Sequence, residues 1–197
     1  MSYGFYAMLS RMKYIDRWSL MRNTQPENIA EHSLETAVIA HALCRIENTY
    51  YGGSLNAERA AMLAMFHDGT EIITGDLPTP VKYHSEQIRA AYAEVEDLAV
   101  QRLCAMLPGE LAGGYEELFS FAGEEDAALQ PYVKAADKLS AIVKCMEEIR
   151  SGNNEFRSAE KTLRKAVEDM HLRAADHFTE YFLPAYGLDL DELSGSV

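Results

Sequence analysis

Residues 28–46 read NIAEHSLETAVIAHALCRI, and the spacing within them decides the fold class. Asn28 is a helix-capping residue type, and Glu31 stands three positions on, where a capping-box partner belongs. Leu34, Val38, Ala42 (or Leu43) and Ile46 then recur at helical spacing, which predicts a helix with an inward apolar stripe. The same period dominates in both directions, and no run of β-branched residues alternates as a strand would. Upstream, a first helix is predicted over residues 3–15, followed by an irregular segment up to Asn28. Downstream, Tyr51-Gly52-Gly53-Ser54 breaks the helix, and Asn56 caps a third one running through Ala61, Leu63 and Phe66 to about residue 68. The prolines of Gly75-Asp76-Leu77-Pro78-Thr79-Pro80 argue for a loop without helix. Ser85 caps a long helix ending near Pro108, Gly113-Gly114 predicts a break, and Pro131 suits the first turn of a helix through Val133, Ala136, Ser140, Val143 and Glu147. Gly152-Asn153-Asn154 separates that helix from a last helical stretch, residues 155–186, with a break near residue 170. The expected architecture is all-α: a single-domain helical bundle over residues 1–187, with a short, acidic, loose tail at 188–197.

The 197 residues are 48% apolar and 25% charged, which excludes collagen-like, low-complexity and wholly disordered classes. A formal net charge of −13 argues against polymeric nucleic acid or an anionic membrane as partner, because broad phosphate contact needs a net basic face. No apolar stretch approaches the roughly 18 residues of a membrane span. Residues 1–5 lack the basic flank and apolar run of a signal peptide. Cys44, Cys104 and Cys145 are odd in number and far apart, as expected of a cytoplasmic chain without disulfides or zinc knuckles. The basic residues Arg11, Lys13, Arg17 and Arg22 face only Asp16 within residues 1–26, so a small anion would be met there. Residues 109–130 carry six acids and no base. Read on charge alone, both are solvated faces.

His67-Asp68 ends an apolar helix just before a glycine. Imidazole nitrogen with carboxylate oxygen is a ligand set suited to Mn, Fe, Co, Ni or Zn. Adjacent helical residues lie about 100° apart, so both side chains can reach one ion near the helix end. Further ligands must come from elsewhere, and His32 and Asp137 are the best candidates. Asp137 stands among Val133, Ala135, Ala136, Leu139 and Ile142, where a carboxylate is costly unless a cation or partner compensates it. The bland alternatives are a capping or packing role for His32 and pairing of Asp137 with Lys134 or Lys138. His41 lies nine residues after His32, on the opposite side of the helix. His84, His171 and His177 have no ligand-like spacing.

His32, His67-Asp68 and Asp137 resemble the metal signature of the HD-domain phosphohydrolases. Arg17-Trp18, Met21-Arg22-Asn23, Glu31-His32-Ser33, His67-Asp68 with Glu71, residues 75–82 and Gly152-Asn153-Asn154-Glu155-Phe156 together resemble bacterial 5′-deoxynucleotidases of the YfbR type. The likeness covers most of the chain. It departs at Ser19, where proline is expected, and at Gly69-Thr70, where glycine in a helix costs roughly 1 kcal/mol relative to alanine. The resemblance implies an HD-type helical fold, a homodimer, and one divalent metal ion (Co, Mn, Ni, Fe, Zn or Mg) held by His32, His67, Asp68 and Asp137. It implies hydrolysis of deoxyribonucleoside 5′-monophosphates, with Glu71 and Arg17 as catalytic residues. Arg17, Trp18, His32, Asp68, Asp76, Leu77, Pro78 and Thr79 are the implied substrate-binding set. Glu71, one turn from His67, would handle the attacking water, or else is a solvated helical acid. Arg17 offers bidentate donors to a phosphoryl group. Trp18 is either a platform for sugar or base or a core residue. Two other classes share these ligands: an HD enzyme acting on triphosphates or alarmones, and a non-catalytic metal-binding helical module. Ile72 stands where an alarmone hydrolase would carry a second acid.

Overall fold

The protein is described by a computed structural model covering residues 2–82 and 84–195. Eleven α-helices are found among these residues: α1 (Phe5–Leu9), α2 (Ile29–Tyr50), α3 (Ala57–Phe66), α4 (Glu71–Thr74), α5 (Thr79–Lys82), α6 (Glu86–Cys104), α7 (Gly109–Ser120), α8 (Asp126–Arg150), α9 (Arg157–Glu168), α10 (Arg173–Tyr181) and α11 (Leu190–Ser194). No strand forms among them; Asp16 and Asn28 pair as an isolated antiparallel bridge. The predicted caps are in place. Asn28 accepts from the Ala30 and Glu31 amides while Glu31 reaches back to the Asn28 amide, a complete capping box. Asn56 and Ser85 each accept from the amide three residues on.

The main core lies where α2, α3 and α8 meet. Ile39, Leu43, Leu63, Leu129, Leu139 and Ile142 are fully buried there, each worth about 1.5–3 kcal/mol of burial. A second cluster, Phe5, Leu103, Leu107 and Phe119, joins α1, α6 and α7. The face that α2 buries is the predicted one in its second half, where Leu43 and Ile46 are buried and Ala42 packs against the core, but not in its first half. Leu34 and Val38 are 58% and 60% exposed, whereas Ile29, His32, Thr36, Ile39, Leu43 and Ile46 turn inward. The helix carries two apolar stripes, and the one with small residues beside it (Ser33, Ala37, Ala40, Cys44) packs against its neighbours.

Other expectations are corrected. The first helix is shorter, giving way to a 3-10 turn at Ser10–Tyr14. Gly113-Gly114 does not interrupt α7; both face open space, and the buried Leu118 and Phe119 hold the helix down. α8 starts ahead of Pro131, which lies inside it. Its start is fixed by Asp126, which takes two 2.8 Å bonds from Arg59 and one from the Gly123 amide. Thr79–Lys82 is a single helical turn despite Pro80, since a first-turn proline gives up no helical bond. The tail carries α11, opened by a capping box between Asp189 and Glu192. The break near residue 170 is present, with His171 at φ +52° between α9 and α10. The three cysteines are free and buried. No helix among the described residues is long and apolar enough to cross a membrane.

Candidate metal centre

Three elements bring the predicted ligands together, His32, His67 and Asp68 as one compact group and Asp137 against its two imidazoles. His32 hangs from the buried face of α2, His67 caps the C-terminal end of α3 with Asp68 following in the turn, and Asp137 projects from α8. His32 Nε2 lies 3.6 Å from Asp68 Oδ2 and 3.2 Å from Asp137 Oδ1. His67 Nε2 lies 3.1 Å and 3.9 Å from the same two oxygens. The ligand atoms of His32, His67 and Asp68 are all within 4.8 Å of one another. His67 Nδ1 contacts the Ala64 carbonyl at 2.6 Å, which assigns its proton there and leaves Nε2 as the atom aimed at the carboxylates. That Nε2 is buried and has no hydrogen-bond partner. An orphaned imidazole nitrogen facing two carboxylates is the donor set a divalent cation satisfies, so these residues fit one. His32 is wholly buried, while the Asp137 side chain is 36% exposed, so the cluster opens to solvent on the α8 side.

The charges reinforce the grouping. Burial, then the Arg17 charge, lowers the His32 imidazole, keeping it in the neutral form a metal ligand needs. Burial also opposes charge on His67, but Asp68 and Asp137 outweigh it and raise His67 to about 9, so a cation bound at Nε2 would take the place of the proton that the two carboxylates otherwise hold there. Against the pull of burial, His67 and His32 hold Asp68 at about 2. His32, His67 and Arg17 likewise hold Asp137 below the usual carboxylate range, although burial opposes them. Glu71 behaves oppositely: burial, then Asp68 and Asp76, raise it to about 9, and its Oε2 is buried without a partner. It opens α4 rather than continuing the preceding helix, because residues 67–70 form a turn. Gly69 sits in that turn, so the helix cost expected for it does not arise. A Cβ there would lie 2.7 Å from the Phe119 ring, which explains the glycine.

One wall is the segment between α1 and α2, closed at its neck by bonds from Arg17 N to Glu27 O (2.8 Å) and Ile29 N to Ile15 O (3.0 Å). Glu27 Oε2 takes bonds from both Arg17 Nη1 (3.0 Å) and Trp18 Nε1 (2.8 Å). Trp18 has φ +60°, a strained value for a bulky residue, and its indole rests 5.2 Å from the Phe156 ring. The segment's far end hangs on buried Glu148, which accepts from Thr24, Gln25, Lys144 and Asn153. Arg17 is placed to feel Glu27, Asp137, Asp68 and Asp76. Asp76, facing Arg17 and the Trp18 backbone, follows Gly75, whose φ of +74° suits glycine. Leu77 and Pro78 continue half-buried in irregular chain; the Thr79 side chain lies outside what is described. Sequence reasoning missed Glu27 and Glu148, which carry no motif and act only through partners remote along the chain.

A family model described as 5′-deoxynucleotidase YfbR-like matches residues 4–186. The chain belongs to this family. It is 49% identical over 193 residues to the 5′-deoxynucleotidase YfbR of Salmonella typhi, covering 96% of this chain and 95% of that one. A 5′-deoxynucleotidase of Pectobacterium atrosepticum is 47% identical over 192 residues, with the same coverage. In fold, the chain resembles an HD-domain phosphohydrolase of Listeria innocua (TM-score 0.77, 24% identity, 92% of this chain and 87% of that one). It also resembles the HD phosphohydrolase of cyanophage S-2L, solved with dA and one catalytic Zn2+ (TM-score 0.66, 18% identity, 94% and 98%). These HD-domain neighbours thus share the all-α architecture found here.

Proposed function

We propose that this chain is a metal-dependent 5′-deoxynucleotidase, hydrolysing 2′-deoxyribonucleoside 5′-monophosphates to deoxynucleoside and phosphate. The observation that carries this reading is the convergence of His32, His67, Asp68 and Asp137 beside Arg17 and Glu71. Relatives 47–49% identical over nearly the whole chain bear that name. Those four side chains would hold the cation, which neutralises phosphoryl charge and lowers the pKa of an attacking water. Arg17 binds the phosphoryl oxygens, with His32 and Asp68 at the same end of the substrate. Asp76, Leu77, Pro78 and Thr79 flank the sugar, and Trp18 shapes that wall from its place on Phe156. The water oxygen bonds to phosphorus, the P–O5′ bond breaks, and a proton ends on the departing 5′-oxygen. Glu71 takes the water's proton. Glu71 would be ionised for that role once the charge of Asp68, which helps to raise its pKa, is offset by a bound cation.

A homodimer and a cytoplasmic setting belong to the same proposal. Exposed Leu34 and Val38, one turn apart on α2, are available for a second copy, and three unpaired buried cysteines suit a reducing compartment. The test is phosphate release from deoxy- and ribonucleoside monophosphates, deoxynucleoside triphosphates and guanosine tetraphosphate, with Mn2+ or Co2+ added. Release from deoxymonophosphates well above all others, abolished by chelation, is expected. Equal rates on both sugars would remove the deoxy assignment, and a preference for triphosphate or tetraphosphate would favour the other HD activities.

A further inference from the structure

We propose that Glu35 and Ser140 form a positioning relay that sets His32 for metal binding. The inference rests on the metal-centre reading above and assigns roles to two residues outside it. His32 Nδ1 lies 3.0 Å from Ser140 Oγ, and the Ser140 hydroxyl donates to Glu35 Oε2 at 2.6 Å. Ser140 is wholly buried and Glu35 half-buried. An ionised carboxylate only accepts, so the single hydroxyl proton of Ser140 points at Glu35 and its oxygen receives the Nδ1–H of His32. With its proton on Nδ1, the neutral ring presents the Nε2 lone pair to Asp68 and Asp137, where a cation would sit. The other nearby polar group, Thr36 Oγ1, is 3.5 Å from Nε2, at the limit of a hydrogen bond.

The arrangement repeats across two helices. Glu35 is three residues from His32 on α2, and Ser140 is three residues from Asp137 on α8, so each pair shares a helix side. His32 bridges from the liganding rung to the supporting rung. His67 is oriented differently, by the main-chain carbonyl of Ala64, which no substitution at position 64 removes. The His32 relay is made of side chains and is therefore open to direct test.

The experiment is calorimetric titration of the purified full-length chain, stripped by chelation, with Mn2+ at about pH 8. That pH is above the value of about 7 to which burial raises the Glu35 carboxyl. Ser140→Ala and Glu35→Ala are each expected to weaken metal binding about 10–100-fold. Glu35→Gln, which keeps an acceptor oxygen, should lie nearer wild type. The double variant should bind no more weakly than Ser140→Ala alone, because the two residues act as one unit. Excess Mn2+ should restore kcat in both single variants. Glu35→Ala lies at a half-buried position and carries the test if Ser140→Ala fails to fold. Wild-type affinity in the single variants, or losses that multiply in the double variant, would overturn the relay. A wild type that binds no Mn2+ would instead overturn the metal-centre reading itself, and the relay with it.

Discussion

Replacing Glu148 by alanine should both destabilise the protein and disturb substrate binding. The Glu148 carboxylate is 1% exposed and collects bonds from Thr24 N (2.9 Å), Thr24 Oγ1 (2.7 Å), Gln25 N (3.2 Å), Asn153 Nδ2 (2.8 Å) and the Lys144 ammonium. Asn153 also donates to Arg22 O at 2.6 Å, and Lys144 to Gln25 O. Truncation leaves the Lys144 ammonium, itself 4% exposed, buried without its counter-charge. Breaking a buried pair from one side costs about 3–5 kcal/mol, a large share of the roughly 5–15 kcal/mol that holds a domain folded. With a urea slope of about 2 kcal/mol/M, the unfolding midpoint should fall by roughly 1.5–2.5 M. Changing Lys144 and Glu148 together to methionine should recover much of the loss, since no lone charge remains. Burial opposes ionisation of Glu148, but Lys144, Asn153 and Thr24 outweigh it and hold the carboxyl well below its ordinary 4.5. Its contribution is therefore complete above about pH 4.5 and is lost as pH falls through the lowered folded-state value, a component the alanine variant should lack. The same segment carries Arg17 and Trp18, so KM for a deoxymonophosphate should rise while metal affinity holds. A midpoint shift under about 0.5 M, or an unchanged KM, would refute the reasoning.

Glu71→Gln should keep about one metal ion per chain, by elemental analysis, while kcat falls about 10²–10⁴-fold; a metal-depleted variant would contradict its role in proton transfer. Arg17→Ala should lower kcat/KM by roughly 10–150-fold, the worth of hydrogen bonds to a charged group, and a loss under about threefold would argue against a phosphate contact. Gly69→Ala places a methyl group 2.7 Å from the Phe119 ring and 3.1 Å from Phe66 O. It should destabilise by about 1–3 kcal/mol, or roughly 3–10 °C in Tm by calorimetry; an unchanged Tm would mean the ring yields freely.

Much of the site is legible in the sequence because a metal centre demands particular side chains at helix ends and on buried faces. His32, His67, Asp68 and Asp137 stand out as polar residues in apolar helices, and they do converge. Helix starts are equally legible at Asn28, Asn56 and Ser85, since capping is local. What fails to read is set by distant partners. Leu34 and Val38 share the period of the buried Leu43 and Ile46, yet tertiary packing left the first two turns of that stripe exposed and buried Ile29, His32 and Thr36 instead. Pro131 marks no boundary because Arg59, far away in sequence, fixes the start of α8 at Asp126. Glu27, Glu35, Ser140 and Glu148 are ordinary residues in the linear chain, and their meaning exists only once α2, α8 and the Arg17 segment are assembled.

A crystal structure of the Co2+-soaked enzyme, with the ion located by anomalous scattering, tests the central arrangement most directly. One ion per chain should appear, bound by His32 Nε2, His67 Nε2, Asp68 and Asp137 at about 2.0–2.2 Å. An ion coordinated without His32 or Asp137, or a second ion about 3.5–4 Å from the first, would contradict it.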